Sequence, residues 1–162
     1  AQRDLLELLN KNSYEKGAWV LHMLRTMLGD RAFFDGIRAY YRQHRLANAT
    51  TADLRAALEQ SAGRPLDWFF QQWLYEPGYP KLRPRWRWDA RQHELIVTIE
   101  QTQRAAWPTF RLPLTIAVAA GTTTRYDVEM TGRRQVYRLP VATQPTRVTV
   151  DPDEAILKEI EL

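Results

Sequence analysis

The chain has 162 residues and no cysteine, which excludes disulfides, thiolate-bound zinc, iron–sulfur clusters and a cysteine nucleophile. Hydrophobic residues make up 44% and charged residues 26%, a globular balance, and a chain of this length buries roughly 70% of its unfolded surface without covalent staples. The net charge is +4, with nineteen arginines against four lysines. No motif that reads nucleic acid accompanies that charge, so it reads as a solvated arginine-rich surface with no nucleic-acid partner. No apolar run approaches ~20 residues, so no membrane-spanning helix is expected.

The period of the apolar residues changes near residue 80. Before it they recur every three or four positions; after it they alternate. Gly78 and the prolines Pro77, Pro80 and Pro84 mark the change, where helices stop. The expected fold is therefore α+β by segregation. Residues 1–80 form an all-α helical subdomain, and residues 81–162 an all-β antiparallel sandwich of immunoglobulin-like or fibronectin-like character.

In chain order, a short helix is predicted over Asp4–Leu9. A second starts with Asn12 as N-cap and Glu15 as its capping-box partner, carries Val20, Leu21, Leu24, Met27 and Leu28, and stops at Gly29. Asp30 is the predicted cap of a third helix with Phe33, Phe34, Ile37, Tyr40 and Tyr41. Thr51 is the predicted cap of a fourth, through Leu54, Ala57 and Leu58 to Gly63. A last helix from Pro65 holds Trp68, Phe69, Phe70, Trp73 and Leu74, apolar nearly all round, and deep burial is expected.

The strands follow by alternation. Trp86 and Trp88 open the series, with Arg83, Arg85 and Arg87 on the opposite face. Then come Leu95–Ile99, Phe110–Val118, Tyr126–Met130, Tyr137–Val141 and Val148–Val150. Asp151-Pro152-Asp153 leads into a tail of unassigned type.

Many chemistries have no support. The seven glycines form no G-x-G pattern, and the two serines, Ser13 and Ser61, lie outside any G-x-S-x-G elbow. His22, His44 and His93 form no H-E-x-x-H pair, the arrangement that puts two imidazoles on one helical face around zinc. No metal-binding or cofactor-binding residues are therefore assigned in this chain. Asn48-Ala49-Thr50 is a glycosylation sequon, short enough to arise by chance, and Asn48 reads as a polar loop residue.

Two segments are more specific. One is Tyr14-Glu15-Lys16-Gly17-Ala18-Trp19-Val20-Leu21-His22-Met23-Leu24. The other is Trp68-Phe69-Phe70-Gln71-Gln72-Trp73-Leu74-Tyr75-Glu76-Pro77-Gly78-Tyr79-Pro80. In this order they resemble the aminopeptidase N family of zinc metallopeptidases. The first is similar to that family's Y-x-K-G helix and the second to the tryptophan-rich segment that closes its thermolysin-like catalytic domain; the β-sandwich after it matches by pattern. The resemblance implies that Tyr14 is the catalytic residue on this chain, donating its phenolic hydrogen to the oxyanion formed when water attacks a peptide carbonyl. A phenol ordinarily titrates near ~10 and so donates at neutral pH. Glu15 is expected to be a cap partner, Lys16 a solvated charge and Gly17 a close-packing position.

The family's zinc ligands, its general base and its G-x-M-E-N segment precede the tyrosine and are not in this sequence. The resemblance therefore implies the C-terminal portion of a zinc aminopeptidase. Zinc belongs to the full-length parent, the partners are the upstream catalytic region of the same polypeptide and the parent's peptide substrate, and these residues alone are inactive. Two other readings stand beside it. One is a non-catalytic scaffold or interaction module of a degenerate family member. The other is an anion- or nucleic-acid-binding β-domain built on the arginines from Arg83 to Arg91, against which stands a plain strand with one core face and one wet face.

Overall fold

The computed structural model describes residues 11–161; the helix expected over Asp4–Leu9 lies outside them. The chain divides into two compact units, Ala1–Tyr75 and Glu76–Leu162, the first helical and the second a β-sandwich.

The helical unit contains α1 (Lys11–Leu28), α2 (Asp30–His44), α3 (Thr51–Ala62) and a short α4 (Asp67–Phe70) that widens into π-helical turns over Gln71–Tyr75. Helix α1 already includes Lys11, so Asn12 lies within it and is not its N-cap. It ends where expected, with Gly29 at φ 78 donating its N–H to the Arg25 carbonyl at 2.8 Å. Val20, Met23 and Leu24 face the core, but Leu21 is 41% exposed, on the outer side of the helical wheel. Asp30 is the first residue of α2 and does not cap it; its carboxylate accepts from Arg25 Nε at 2.7 Å. That hydrogen bond, ahead of the charge, holds the Asp30 carboxyl below its ordinary range.

The cap of α3 is Thr50, one residue before the expected Thr51. Thr50 Oγ1 accepts from Asp53 N–H, and the Asp53 carboxylate accepts from Thr50 N–H at 2.8 Å, the reciprocal box that needs its acid three residues on. Helix α2 packs on α3 at Gly36, where an added Cβ would lie 3.1 Å from Leu58 Cα. Phe69, Phe70 and Trp73 are buried. The last helix starts at Asp67, after Pro65, and it is not buried all round: Leu74 is exposed and Trp68 half-buried.

The second unit has seven strands: β1 (Lys81–Asp89), β2 (Glu94–Gln101), β3 (Leu112–Ala120), β4 (Thr122–Met130), β5 (Arg134–Pro140), β6 (Arg147–Val150) and β7 (Glu159–Ile160). They form two sheets, ordered β5-β2-β1-β7 and β4-β3-β6. Leu95, Val97, Ile99, Leu112, Leu114, Ile116 and Val118 fill the space between. Phe110 is buried but precedes β3. The unassigned tail becomes β7, paired parallel to β1 at Lys81↔Glu159 and Leu82↔Ile160, so one pair departs from the antiparallel expectation. Tyrosines tie the sheets together: Tyr137 OH of β5 donates to the Glu129 carbonyl of β4 at 3.0 Å, and Tyr126 OH of β4 to Pro140 of β5.

A polar knot closes the crossing from β2 to β3. Gln101, 2% exposed, donates to the Phe110 carbonyl at 2.7 Å and accepts from Phe110 N–H at 2.8 Å. Arg133 donates to the carbonyls of Gln103 (2.9 Å) and Trp107 (2.7 Å). At the unit's entrance Gly78 has φ +90, and an added Cβ would lie 2.4 Å from the Trp107 ring. Only glycine admits both the dihedral and the contact.

Candidate functional site

Tyr14 lies in the first turn of the described part of α1. The buried positions Val20, Met23, Leu24 and half-buried Met27 set the core side of this helix. Tyr14, Ala18, Leu21 and Arg25 fall at spacings of three and four on the opposite side, and all four are exposed. Tyr14 itself is 67% exposed. Its hydroxyl has no hydrogen-bond partner among the described residues. A tyrosine held by a core would bury its ring and pair its hydroxyl; this one does neither.

The neighbours in the same segment divide between packing and solvent. Glu15 is exposed and Lys16 half-buried. Among the described residues, an added Cβ at Gly17 would meet nothing within 4 Å. The Trp19 and His22 rings meet edge-on at 5.5 Å. Among the described residues no three His, Cys, Asp or Glu side chains come together to hold a metal ion, so the described residues make no zinc site. His44 lies against Tyr40, and His93 Nδ1–H donates to the Ala142 carbonyl at 3.0 Å, in different units. No described helix is long and apolar enough to cross a membrane.

The arginine row on β1 is partly neutralised. Lys81 pairs with Glu159 at 2.9 Å and Arg83 with Glu161 at 2.8 Å. Trp86 does not face a core as the alternation predicts; it is 42% exposed, because β7 flanks β1 only at Lys81 and Leu82. Trp88 is half-buried and donates Nε1–H to the Val141 carbonyl at 3.1 Å. Asn48 lies exposed in the loop before α3, as expected of a polar loop residue.

Two interactions had no signal in the sequence. Asp151 and Lys158 form a buried ion pair in the turn before β7, and Trp107 Nε1 is buried without an acceptor among the described residues.

Comparison with known proteins places these features. The family model described as the Peptidase family M1 domain matches residues 1–73. Aminopeptidase N of Streptomyces lividans is 35% identical over 136 residues, 80% of this chain and 15% of that protein. Aminopeptidase N of Lactococcus lactis is 43% identical over 67 residues, and the tricorn protease-interacting factor F2 of Thermoplasma acidophilum 32% over 123. The chain thus spans 8% and 15% of the length of these relatives. The crystal structure of Legionella pneumophila aminopeptidase A in complex with aspartic acid superposes with a TM-score of 0.81 at 15% identity, over 96% of this chain and 18% of that one. The helix-then-sandwich order is therefore a shared fold.

Proposed function

Since the chain belongs to the M1 aminopeptidase family, we propose that it forms the closing helices of the catalytic region, and the β-domain that follows, of a zinc-dependent aminopeptidase. In that setting Tyr14 donates its phenolic O–H to the oxyanion that develops on the scissile carbonyl. The exposed hydroxyl, without a hydrogen-bond partner among the described residues and on the side of α1 turned from its core, carries this reading, because a hydroxyl kept out of the local packing remains available to a substrate. A donor aimed at developing negative charge is worth roughly 10²–10³ in rate. Zinc, where the parent binds it, would supply an activated water and polarise the carbonyl; among the described residues no group of side chains comes together to hold it. On this reading the 162 residues alone, without the upstream catalytic region, hydrolyse no peptide.

Aminoacyl-anilide hydrolysis by the 162-residue chain with added zinc tests the inactivity, and turnover would overturn it. In a longer polypeptide that carries an H-E-x-x-H motif before Ala1, Tyr14→Phe should lower kcat by about 10²–10³ with little change in KM. Equal turnover by that variant would remove the donor role. An upstream region without the motif would instead leave the scaffold reading standing.

A further inference from the structure

Strand β7 displays a recognition pattern on the edge of β1. Its Glu159 sits on Lys81 and its Glu161 on Arg83. Their N–H groups donate to the carbonyls of Pro80 (3.1 Å) and Leu82 (2.8 Å). Alternate carboxylates thus meet alternate bases while the backbone adds a strand. The ladder runs to Leu82↔Ile160. The next donor required on this edge belongs to Pro84, which has no N–H.

Beyond Pro84 the edge is open again. The Lys81 carbonyl accepts from Thr102 on the β2 side and the Leu82 carbonyl from Glu161 on the β7 side. By the same alternation the backbone groups of Trp86 and Trp88 turn toward the open edge. No described strand pairs with them there. The basic row continues beside them: Arg85 and Arg87 are exposed and, unlike Lys81 and Arg83, have no ion-pair partner among the described residues. A cleft of about 140 Å³ lined by Arg85, Trp86, Arg87, Ile96 and Thr98 lies along this row.

We propose that the stretch from Pro84 to Trp88 docks an extended segment of another polypeptide with carboxylates at alternate positions. The segment adds as a strand, its acids on Arg85 and Arg87 and its backbone on Trp86 and Trp88. The chain's own Glu159 and Glu161 show the charge complementarity that selects it.

The probe is a labelled, end-blocked peptide alternating glutamate and valine, roughly six residues long, titrated with the 162-residue chain by fluorescence anisotropy. Saturable binding that weakens with salt is expected, with no binding of the lysine-for-glutamate peptide. On binding, the Trp86 and Trp88 amides should gain protection from hydrogen exchange. Arg85→Glu with Arg87→Glu should weaken binding at least about tenfold. Arg85→Gln with Arg87→Gln, which introduces no new charge into the fold, should do so in the same direction. Absent binding, unchanged affinity in the folded glutamine variant, protection elsewhere, or equal affinity for a single-stranded oligonucleotide would each overturn the proposal.

Discussion

At Asp151 the backbone is left-handed, with φ 52, and the carboxylate is buried. It accepts from the N–H groups of Ala155 (2.9 Å) and Ile156 (3.1 Å) and from Lys158 Nζ at 2.5 Å. The side chains of the pair are 2% and 8% exposed. Asp151→Ala leaves an ammonium and two amides without their acceptor, and breaking a buried pair costs about 3–5 kcal/mol. Asp151→Asn tolerates the left-handed backbone and keeps an acceptor, so its loss should be smaller. Urea denaturation orders the three proteins, and an alanine variant as stable as the parent would contradict the burial. Tyr137 allows a pH test. Burial, and secondarily the Glu129 charge, push its phenol up to about 12. A raised pKa contributes stability that is fully present below the unfolded value of about 10 and is lost as pH rises through about 12. Between those limits Tyr137→Phe should lose less stability with rising pH than the parent, and absorbance at the phenolate band should show one tyrosine titrating late. Tyr14 teaches a different point. By period alone a tyrosine in a helix is surface or core; the segment around it marked it out, and its outward position emerged only once α1 had a core side.

Helix α3 shows how an element's boundary depends on one residue. Thr50→Ala removes the acceptor for Asp53 N–H and should cost about 1 kcal/mol, whereas Thr51→Ala, already inside the helix, should leave stability unchanged or slightly raised. Circular dichroism during thermal unfolding separates them, and equal effects would move the cap back to Thr51. The Thr50 side-chain hydrogen bond, then its backbone one, holds the Asp53 carboxyl below its ordinary range. A depressed pKa contributes stability present above the unfolded value and lost as pH falls through the folded one, so the difference between Thr50→Ala and parent should shrink in acid. Local rules were enough for the stops at Gly29 and Gly63, for the alternation of β3 and for the order of elements. They misplaced the caps at Asn12, Asp30 and Thr51 because a cap is defined by where the first hydrogen bond closes, one residue finer than periodicity resolves. Trp86 failed for a non-local reason. Alternation assigns it a core face, yet a strand's cover depends on its neighbour, and β7, distant in sequence, reaches only Lys81 and Leu82.

As a whole the molecule consists of two units with unequal claims to independence. The β unit encloses its own apolar interior, with Leu82, Leu95, Val97, Ile99, Phe110, Leu112, Ile116 and Met130 fully buried. Its sheets are tied by Tyr126 and Tyr137, its crossing by Gln101 and Arg133, and its entrance by Gly78 against Trp107. It lies well above the roughly 40 residues below which a domain needs staples. The helical unit, matched over residues 1–73 by the Peptidase family M1 domain model, leaves Tyr14, Leu21, Phe34, Tyr41, Leu74 and Tyr75 exposed. On the proposed reading, these side chains would be covered by the rest of the catalytic region. Residues 76–162 alone should therefore unfold in one cooperative urea transition with a slope of about 1–2 kcal/mol/M. Residues 1–75 alone should melt broadly, bind a hydrophobic dye and associate with concentration. A non-cooperative β unit would mean that its core needs the helices, whereas a sharp, monomeric helical unit would mean that its exposed aromatics await nothing.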